Sequence, residues 1–313
     1  MDQILFNIGL LFQFPLVNLK IVIDGLMIGA IFALAAYGLA LVWGVMNVKN
    51  LAQGDFVIAG GYTSWFLVRT GWLQSLGLSD NAAALIGVPV AIAVMAGIGW
   101  ICYRLVITRV VERDLFTSLL ATFGLAIMMA QIMNLLFGSD TQSLKLEYDT
   151  LYFADGLIDV PIAKLIGVCM AAGLAVAVIL FMKNSRMGQA IRATSQDSRA
   201  ARVLGIDTER VYAFTFSLNA AICGAAGAII VMVWVIQPFY GITYSIRAFV
   251  IVTAAGLGNL PGVIAAGLGI GAAEQYGSHV FGIGYQQAIA VLLLLLVLVW
   301  KLARQRRQRR VLE

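Results

Sequence analysis

The stretch Ile162–Met182 reads IAKLIGVCMAAGLAVAVILFM and decides the class of fold. Its 21 residues include one charged side chain, Lys164. About 20 apolar residues are enough for a helix to cross the hydrocarbon core of a bilayer, and a helix satisfies its own backbone hydrogen bonds where no water can. This run is therefore predicted to be a membrane-spanning helix.

The same pattern recurs along most of the chain. Hydrophobic residues make up 61% of the sequence and charged residues 12%, against about 45–50% and about 25% in soluble domains. Further apolar runs fall at about 21–45, 51–69, 83–104, 115–137, 211–237, 245–257, 263–279 and 282–301. The sequence predicts an all-α, polytopic transmembrane helical bundle of about nine membrane segments.

Three parts of the chain differ in character. Residues 1–20 lack a basic leader and are interrupted by polar residues, so we expect a retained N-terminal segment that is an interfacial or partly inserted helix. Residues 21–302 form the predicted transmembrane domain, and residues 303–313 form a basic tail. Gly25-xxx-Gly29 and Gly267-xxx-Gly271 place small residues on one helix face, which favours close helix packing.

A break is predicted inside the segment 245–279. The sequence Gly256-Leu-Gly-Asn-Leu-Pro-Gly262 contains Pro261, which removes a backbone donor, so a continuous helix is not expected there. Two alternatives remain open at this point. The segment is either a broken span beside a cavity at membrane depth or a tight interhelical turn near the cytoplasmic face.

The distribution of charge predicts the orientation. Lys and Arg concentrate in the loops 104–114 and 183–210 and in the C-terminal tail, which places all three in the cytoplasm. The segment 138–161 instead carries the acidic residues Asp140, Glu147, Asp149, Asp155 and Asp159. It is expected on the exterior side, and the intervening spans alternate as this assignment requires.

Motifs for enzymatic chemistry are missing from the sequence. No Gly-Lys-Ser/Thr phosphate loop and no Gly-x-Ser-x-Gly occur, and His279 is the single histidine. The three cysteines lie in apolar segments without metal or redox spacing. We therefore expect a chain that is not an enzyme and that binds no metal or cofactor itself.

Polar residues inside apolar runs are costly in lipid, so each marks a candidate for a transport pathway. Gln53 and Asp55 lie near predicted helix ends, where solvated anchoring is the alternative. For Asn219 the alternative is a bridge between two helices, whereas Glu274 follows the broken segment. The candidates are Asp24, Gln53, Asp55, Gln131, Asn134, Asn219, Glu274 and Gln275.

The long basic loop contains a predicted short helix. Residues from about 196 to 204 are rich in Ala, Arg and Leu, and Gly205 is placed as a stop. Its apolar patch, Ala200, Ala201, Val203 and Leu204, suits docking into a groove on a partner protein. The alternative is a solvated linker that is basic only because it is cytoplasmic.

Three ordered segments resemble one family. Arg199-Ala-Ala-Arg-Val-Leu-Gly205 resembles the Glu-Ala-Ala-x-x-x-Gly loop of bacterial ABC importer permeases, with Arg199 in place of Glu and the final Ile-x-Leu-Pro absent. The preceding Ile191–Asp197 is similar to the form in branched-chain amino-acid permeases of the LivH/LivM type. Gly44–Asp55 resembles that family's segment ending Asn-Leu-Ala-His-Gly-Glu, and Arg247-Ala-Phe249 with Gly256–Gly262 resembles its Lys-Ala-Phe and Gly-x-Gly-Ser-x-Pro-Gly signature.

The resemblance implies a multi-pass permease subunit of an ATP-binding cassette importer in the bacterial inner membrane, with a cytoplasmic C-terminus. Its implied partners are a second permease, homologous or identical, two ATP-binding subunits that hold ATP and Mg, a periplasmic substrate-binding protein and membrane lipid, with no nucleic acid. The implied cargo is a branched-chain amino acid, although related permeases serve urea, small amides or aromatic acids.

Two sets of residues follow from the resemblance. The set that couples to the ATPase is Arg192, Asp197, Arg199, Ala200, Ala201, Arg202 and Gly205. The set for the translocation pathway is Asn50, Gln53, Asp55, Asn219, Arg247, Asn259 and Glu274.

Two other classes of protein are alternatives to an importer permease. An ion-coupled secondary transporter of small polar solutes explains buried carboxylates and a broken helix, but it needs no docking helix. A membrane scaffold or intramembrane enzyme explains only the hydrophobicity.

Overall fold

The computed structural model describes residues 7, 9, 11, 14–111, 113–144, 146–153, 156, 158–256 and 258–310. Within them the chain is a helical bundle, as predicted. Its helices are α1 Pro15–Met46, α2 Gln53–Arg69, α3 Trp72–Ser75, α4 Asp80–Leu105, α5 Leu115–Phe137, α6 Ile162–Asn184, α7 Arg186–Gln196, α8 Ser198–Val203, α9 Thr208–Val233, α10 Gly241–Ala255, α11 Leu260–Phe281 and α12 Gln286–Arg310. Short 3₁₀ turns occupy Ile107–Arg109, Pro238–Tyr240 and Ile283–Tyr285.

One small β-hairpin was not anticipated. Strands β1 Thr150–Phe153 and β2 Ile158–Pro161 pair antiparallel, with Thr150 opposite Pro161. At the N-terminus, α1 begins at Pro15, so the end of the predicted interfacial segment is continuous with the first long helix. Most of residues 1–13, as well as Lys145, Asp155 and residues 311–313, lie outside the described residues.

Six helical segments in the described chain are long and apolar enough to cross a membrane, namely Leu16–Met46, Asp80–Arg109, Phe116–Phe137, Ile162–Asn184, Thr208–Val233 and Pro238–Ala255. The predicted number of about nine is not confirmed. Helix α2 has only 17 residues, and the apolar part of α12 is limited to Ala288–Ala303. Helix α11 carries Glu274, Gln275 and His279 among its apolar residues.

Helix α9 occupies the centre and packs against α1, α2 and α4, while α1 also packs along α11. The predicted small-residue faces make this last contact close. A Cβ atom on Gly25 would lie 2.5 Å from the Cα atom of Ala272, and one on Gly29 would lie 2.5 Å from the carbonyl oxygen of Gly267. The two helices therefore approach backbone to backbone, as the glycine spacing indicated.

The loops of opposite charge lie at opposite ends of the bundle. At one end, here the acidic end, Lys20 of α1 pairs with Asp159 of the hairpin, and the Asn81 side chain donates 3.0 Å to the carbonyl oxygen of Glu147. At the other, the basic end, the hydroxyl of Tyr103 lies 3.5 Å from the carbonyl oxygen of Glu209. The charge pattern thus separated the two ends correctly.

The break between α10 and α11 is a turn at the basic end. Gly256 and Gly258 adopt positive φ angles of 89° and 78°. Asn259 caps α11 by accepting a hydrogen bond of 3.1 Å from the N–H of Gly262, and Pro261 lies in the first turn, where its missing N–H costs nothing. Because Gly258 lines a cavity together with Arg192 of α7, the structure favours the tight-turn alternative over a break at membrane depth.

The chain is interrupted at depth elsewhere, in the segment 47–52 between α1 and α2. After the left-handed residue Asn47 (φ 54°) the chain turns back along α1. Gln53, the first residue of α2, donates 2.8 Å to the carbonyl oxygen of Ala35, which lies eleven residues before the end of α1. At 1.5 Å per residue, α2 begins about 16 Å inside the bundle.

Candidate functional site

The starts of α2 and α10 meet inside the bundle. Gly54 packs directly on Gly241, and a Cβ atom on Gly54 would overlap the Gly241 carbonyl oxygen. The Ser245 hydroxyl accepts a hydrogen bond from the N–H of Gly54 and donates one to the carbonyl oxygen of Leu51, both at 2.8 Å. The N-terminal ends of the short helices α2 and α10 are thus held together about halfway along the bundle. Such an arrangement is typical of transport sites.

A buried amide network ties this junction to the central helix. The Gln53 side chain donates to Oδ1 of Asn219 at 3.0 Å, and the Asn50 side chain donates to Oε1 of Gln53 at 3.3 Å. All three side chains are fully buried. Asn219 therefore bridges α9 and α2, the structural alternative given for it above, while its Nδ2 atom has no hydrogen-bond partner among the described residues.

Asp55 lies one residue beyond the glycine contact and faces a cavity of about 340 Å³ between α2, α5 and α10. The residue is 3% exposed, and its place in the first turn of α2 favours a negative charge. Apart from Asp55 and Ser245, the walls are apolar, formed by Leu51, Phe123, Ala126, Ile127, Ala130, Phe239, Ile242, Ile246 and Phe249.

Arg247 and Glu274 form a buried ion pair between α10 and α11, with Nε 3.2 Å from Oε2. The guanidinium also lies over the ring of Phe32, 4.7 Å from its centroid, so a cation–π contact adds to the pair. Arg247 further lines a cavity of about 300 Å³ with Trp234, Thr243, Tyr244 and Gln286. Glu274 Oε1 has no hydrogen-bond partner within the described chain.

The seven predicted pathway residues fall into three places. Asn50, Gln53, Asp55 and Asn219 meet at the start of α2. Arg247 and Glu274 lie on the other face of α10, since Ser245 and Arg247 are about 200° apart around that helix. Asn259 stands alone at the basic end, where its side chain caps α11.

The basic loop folds into two helices, α7 and α8, of which only α8 was predicted. Ser185 caps α7 by accepting 2.8 Å from the N–H of Gly188. Asp197 caps α8 through the N–H groups of Ala200 and Arg199, and these hydrogen bonds lower the pKa of its carboxyl group. Gly205 ends the helix with φ of 84°, as the sequence predicted.

Helix α8 presents two apolar side chains to the outside. Val203 is 88% exposed and Leu204 is 79% exposed. Ala201 is instead buried, so it packs the helix onto the bundle, while Arg192, Arg199 and Ala200 remain exposed. The Arg202 Nε donates 2.7 Å to the hydroxyl of Thr208, which anchors α8 to the start of α9.

Comparison with known proteins identifies the family of this chain. A family profile described as "Branched-chain amino acid transport system / permease component" matches residues 21–299, which contain the α2–α10 junction and the α7–α8 loop. The chain belongs to this permease family. No solved structure matches it significantly.

Curated relatives cover nearly the whole permease. The high-affinity branched-chain amino acid transport system permease protein LivH of Salmonella typhimurium is 29% identical over 288 residues, 88% of this chain and 91% of the relative. The corresponding protein BraD of Pseudomonas aeruginosa is 27% identical, covering 90% and 94%. A probable branched-chain amino acid transport permease protein LivH of Methanocaldococcus jannaschii is 26% identical, covering 90% of each chain.

Three features of the permease site escaped sequence reasoning. The sequence predicts one span over residues 51–69, whereas the structure starts α2 about halfway along the bundle. Helix α7 carries a polar pattern that hydropathy does not register, although Ser185 followed by Gly188 is a recognisable cap. The cavity beside Asp55 depends on residues of α5 and α10 that lie far away in the sequence.

Proposed function

We propose that this permease forms half of the translocation pathway of an ATP-driven importer for branched-chain amino acids. The observation that carries the proposal is the family match over residues 21–299. The names of the Salmonella and Pseudomonas relatives support the same cargo. In such an importer the second permease supplies the other half of the pathway, and a periplasmic binding protein delivers the amino acid.

ATP hydrolysis in this proposal belongs to two partner subunits, which hold ATP and Mg, because the sequence contains no phosphate-binding loop. Helix α8 is the docking element. Val203 and Leu204 form an exposed apolar pair on a short helix that also carries the exposed Arg199 and Arg202, and exposed apolar side chains among polar ones suit a protein partner.

In this proposal, movement of the basic loop 183–210 is transmitted to the translocation pathway through α7. This helix packs against α1, α6 and α9, and a cavity of about 550 Å³ separates it from the turn that joins α10 to α11. Arg192 on α7 and Gly258 in the turn line this cavity. A shift of α7 on nucleotide binding would close or widen that space and displace the end of α10, whose start carries the half-depth junction.

The basic end faces the cytoplasm in this proposal, and the chain lies in the bacterial inner membrane. Single cysteines introduced in the 186–209 loop should react only after the cells are opened, while cysteines at 140–144 should react in intact cells. The pathway residues are Asn50, Gln53, Asp55, Asn219, Arg247, Asn259 and Glu274, with Asn219 and Asn259 holding helices in place.

Co-purification tests the importer assignment. The permease, extracted in mild detergent from cells that carry its neighbouring genes, should retain two ATP-binding subunits and a second permease. Loaded binding protein should stimulate ATP hydrolysis by that complex. A chain that purifies without ATP-binding subunits yet transports amino acids would contradict the importer assignment and favour an ion-coupled secondary transporter.

A further inference from the structure

The cavity beside Asp55 is a groove that opens on the outer surface of the bundle. Phe123 and Ile127 of α5 and Ile242 of α10 line it and are all exposed. Asp55 forms part of its floor and is buried. An acidic floor under apolar walls is unusual for a surface that faces lipid.

The depth of this groove makes lipid contact costly. Asp55 lies two residues beyond Gln53, which is hydrogen-bonded to Ala35 in the middle of α1, so the groove lies well away from either end of the bundle. A charged carboxylate open to hydrocarbon at such depth is unfavourable by several kcal/mol on most scales. The groove is therefore expected to face water or another protein rather than lipid.

No cationic side chain in the described chain pairs with the Asp55 carboxylate, which lies in the first turn of α2 and packs against Gly241 at the start of α10. No other described residue forms an ion pair or a hydrogen bond with it. The buried Arg247 is already paired with Glu274 and projects from the opposite face of α10. The Ser245 hydroxyl, the other polar group of the groove, is occupied by Gly54 and Leu51. The Asp55 carboxylate is therefore available to bind a cation from outside this chain.

We propose that Asp55 binds the ammonium group of the transported amino acid, whose apolar side chain lies against the groove walls, an assignment that rests on the proposed transport of amino acids. The volume of about 340 Å³ lies at the lower end of the range of about 300–1,000 Å³ for small-molecule sites. The open side of the groove then faces the second permease, and the cargo passes between the two chains.

Amino-acid uptake by the whole complex in proteoliposomes tests the assignment. Asp55→Asn keeps the shape and removes the charge, and loss of a charge-assisted hydrogen bond should reduce L-leucine uptake about tenfold or more. Asp55→Glu should restore part of the uptake. Wild-type complex that fails to transport L-leucine would refute the proposed function, whereas normal uptake by Asp55→Asn beside an active wild type would refute only the ammonium site.

Cysteine labelling provides a readout that a folding defect does not imitate. In a Cys169→Ala background the remaining cysteines, Cys102 and Cys223, are buried. Ile246→Cys should react with an aqueous methanethiosulfonate reagent. The matched control is Val176→Cys, at an exposed apolar position of the membrane-spanning helix α6 away from the groove, which should stay unlabelled.

Protection by ligands then identifies the group that is bound. L-Leucine should block labelling of Ile246→Cys, whereas 4-methyl-2-oxopentanoate, which has the same side chain and no ammonium, should not. Combining Ile246→Cys with Asp55→Asn should abolish the protection. Unlabelled Ile246→Cys, or equal protection by both compounds, would overturn the proposal.

Discussion

The Nε atom of Arg247 lies 3.2 Å from Oε2 of Glu274, joining α10 to α11 inside the bundle. Both residues are buried, and Phe32 covers the guanidinium. The pair fixes one face of α10, while the opposite face carries Ser245 and the groove of Asp55. Helix α10 therefore separates an internally neutralised charge pair from an uncompensated carboxylate.

Glu274→Gln should weaken both stability and transport. Removing one member of a buried pair leaves the other charge without a partner and costs about 3–5 kcal/mol. We expect a clear fall in the melting temperature of the purified chain and lower leucine uptake. The double variant Arg247→Gln/Glu274→Gln should regain stability; full uptake by the double variant would limit the pair to a structural role.

Gly54→Ala should disrupt the junction of α2 and α10. The added methyl group would overlap the carbonyl oxygen of Gly241, and overpacking of this kind costs about 1–3 kcal/mol or more. Gly97→Ala is the matched control, because nothing lies within 4 Å of its added Cβ atom. Thermal unfolding in detergent should show a lower melting temperature for Gly54→Ala than for Gly97→Ala. Equal melting temperatures of the two variants would contradict the contact between Gly54 and Gly241.

Leu204→Glu should detach the ATP-binding subunits without affecting insertion. Leu204 is exposed, so the fold loses little, but a charge replaces the apolar contact at the tip of α8. Leu76→Glu, at an exposed apolar position of the acidic end, is the control. Subunit retention during purification and stimulated ATP hydrolysis should both fall only in Leu204→Glu. Unchanged retention in that variant would make the loop a linker.

Asp197 should support α8 across the physiological pH range. The N–H groups of Ala200 and Arg199 lower its pKa, so its contribution is present above the ordinary value of about 3.9 and is lost only as the pH falls below that. Asp197→Ala should speed tryptic cleavage at the exposed Arg199 near pH 7, whereas Asp197→Asn keeps a capping oxygen and should resemble wild type. Equal cleavage of all three would contradict the cap.

Local chemistry made part of this structure predictable. Gly205 and Pro261 act within a few residues of themselves, so their effects could be inferred directly. The glycine pairs predicted close helix packing, but not that α1 and α11 are the two helices in contact. The distribution of charge distinguished the two ends of the bundle because Lys and Arg concentrate in the loops on one side of a membrane. Hydropathy, however, cannot distinguish a full span from the half-depth start at Gln53, since both are apolar.

The site itself was only partly predictable. Asp55, Asn219, Arg247 and Glu274 were recognised as costly polar residues in apolar runs, but their partners could not be assigned. Which of them has a partner of opposite charge depends on tertiary contacts: Glu274 pairs with Arg247 of α10, whereas Asp55 lies against Gly241 and an apolar groove with no cationic side chain beside it in the described chain. The predicted number of about nine membrane segments is not confirmed, because α2 and the apolar part of α12 are short.

The energy source for amino-acid uptake tests the central claim most directly. The complete complex is reconstituted in proteoliposomes with ATP inside and L-leucine-loaded binding protein outside, and uptake is compared with and without proton and sodium gradients. The account predicts uptake that requires ATP hydrolysis and persists when both ion gradients are collapsed. Uptake that proceeds without ATP and stops when an ion gradient is removed would contradict it.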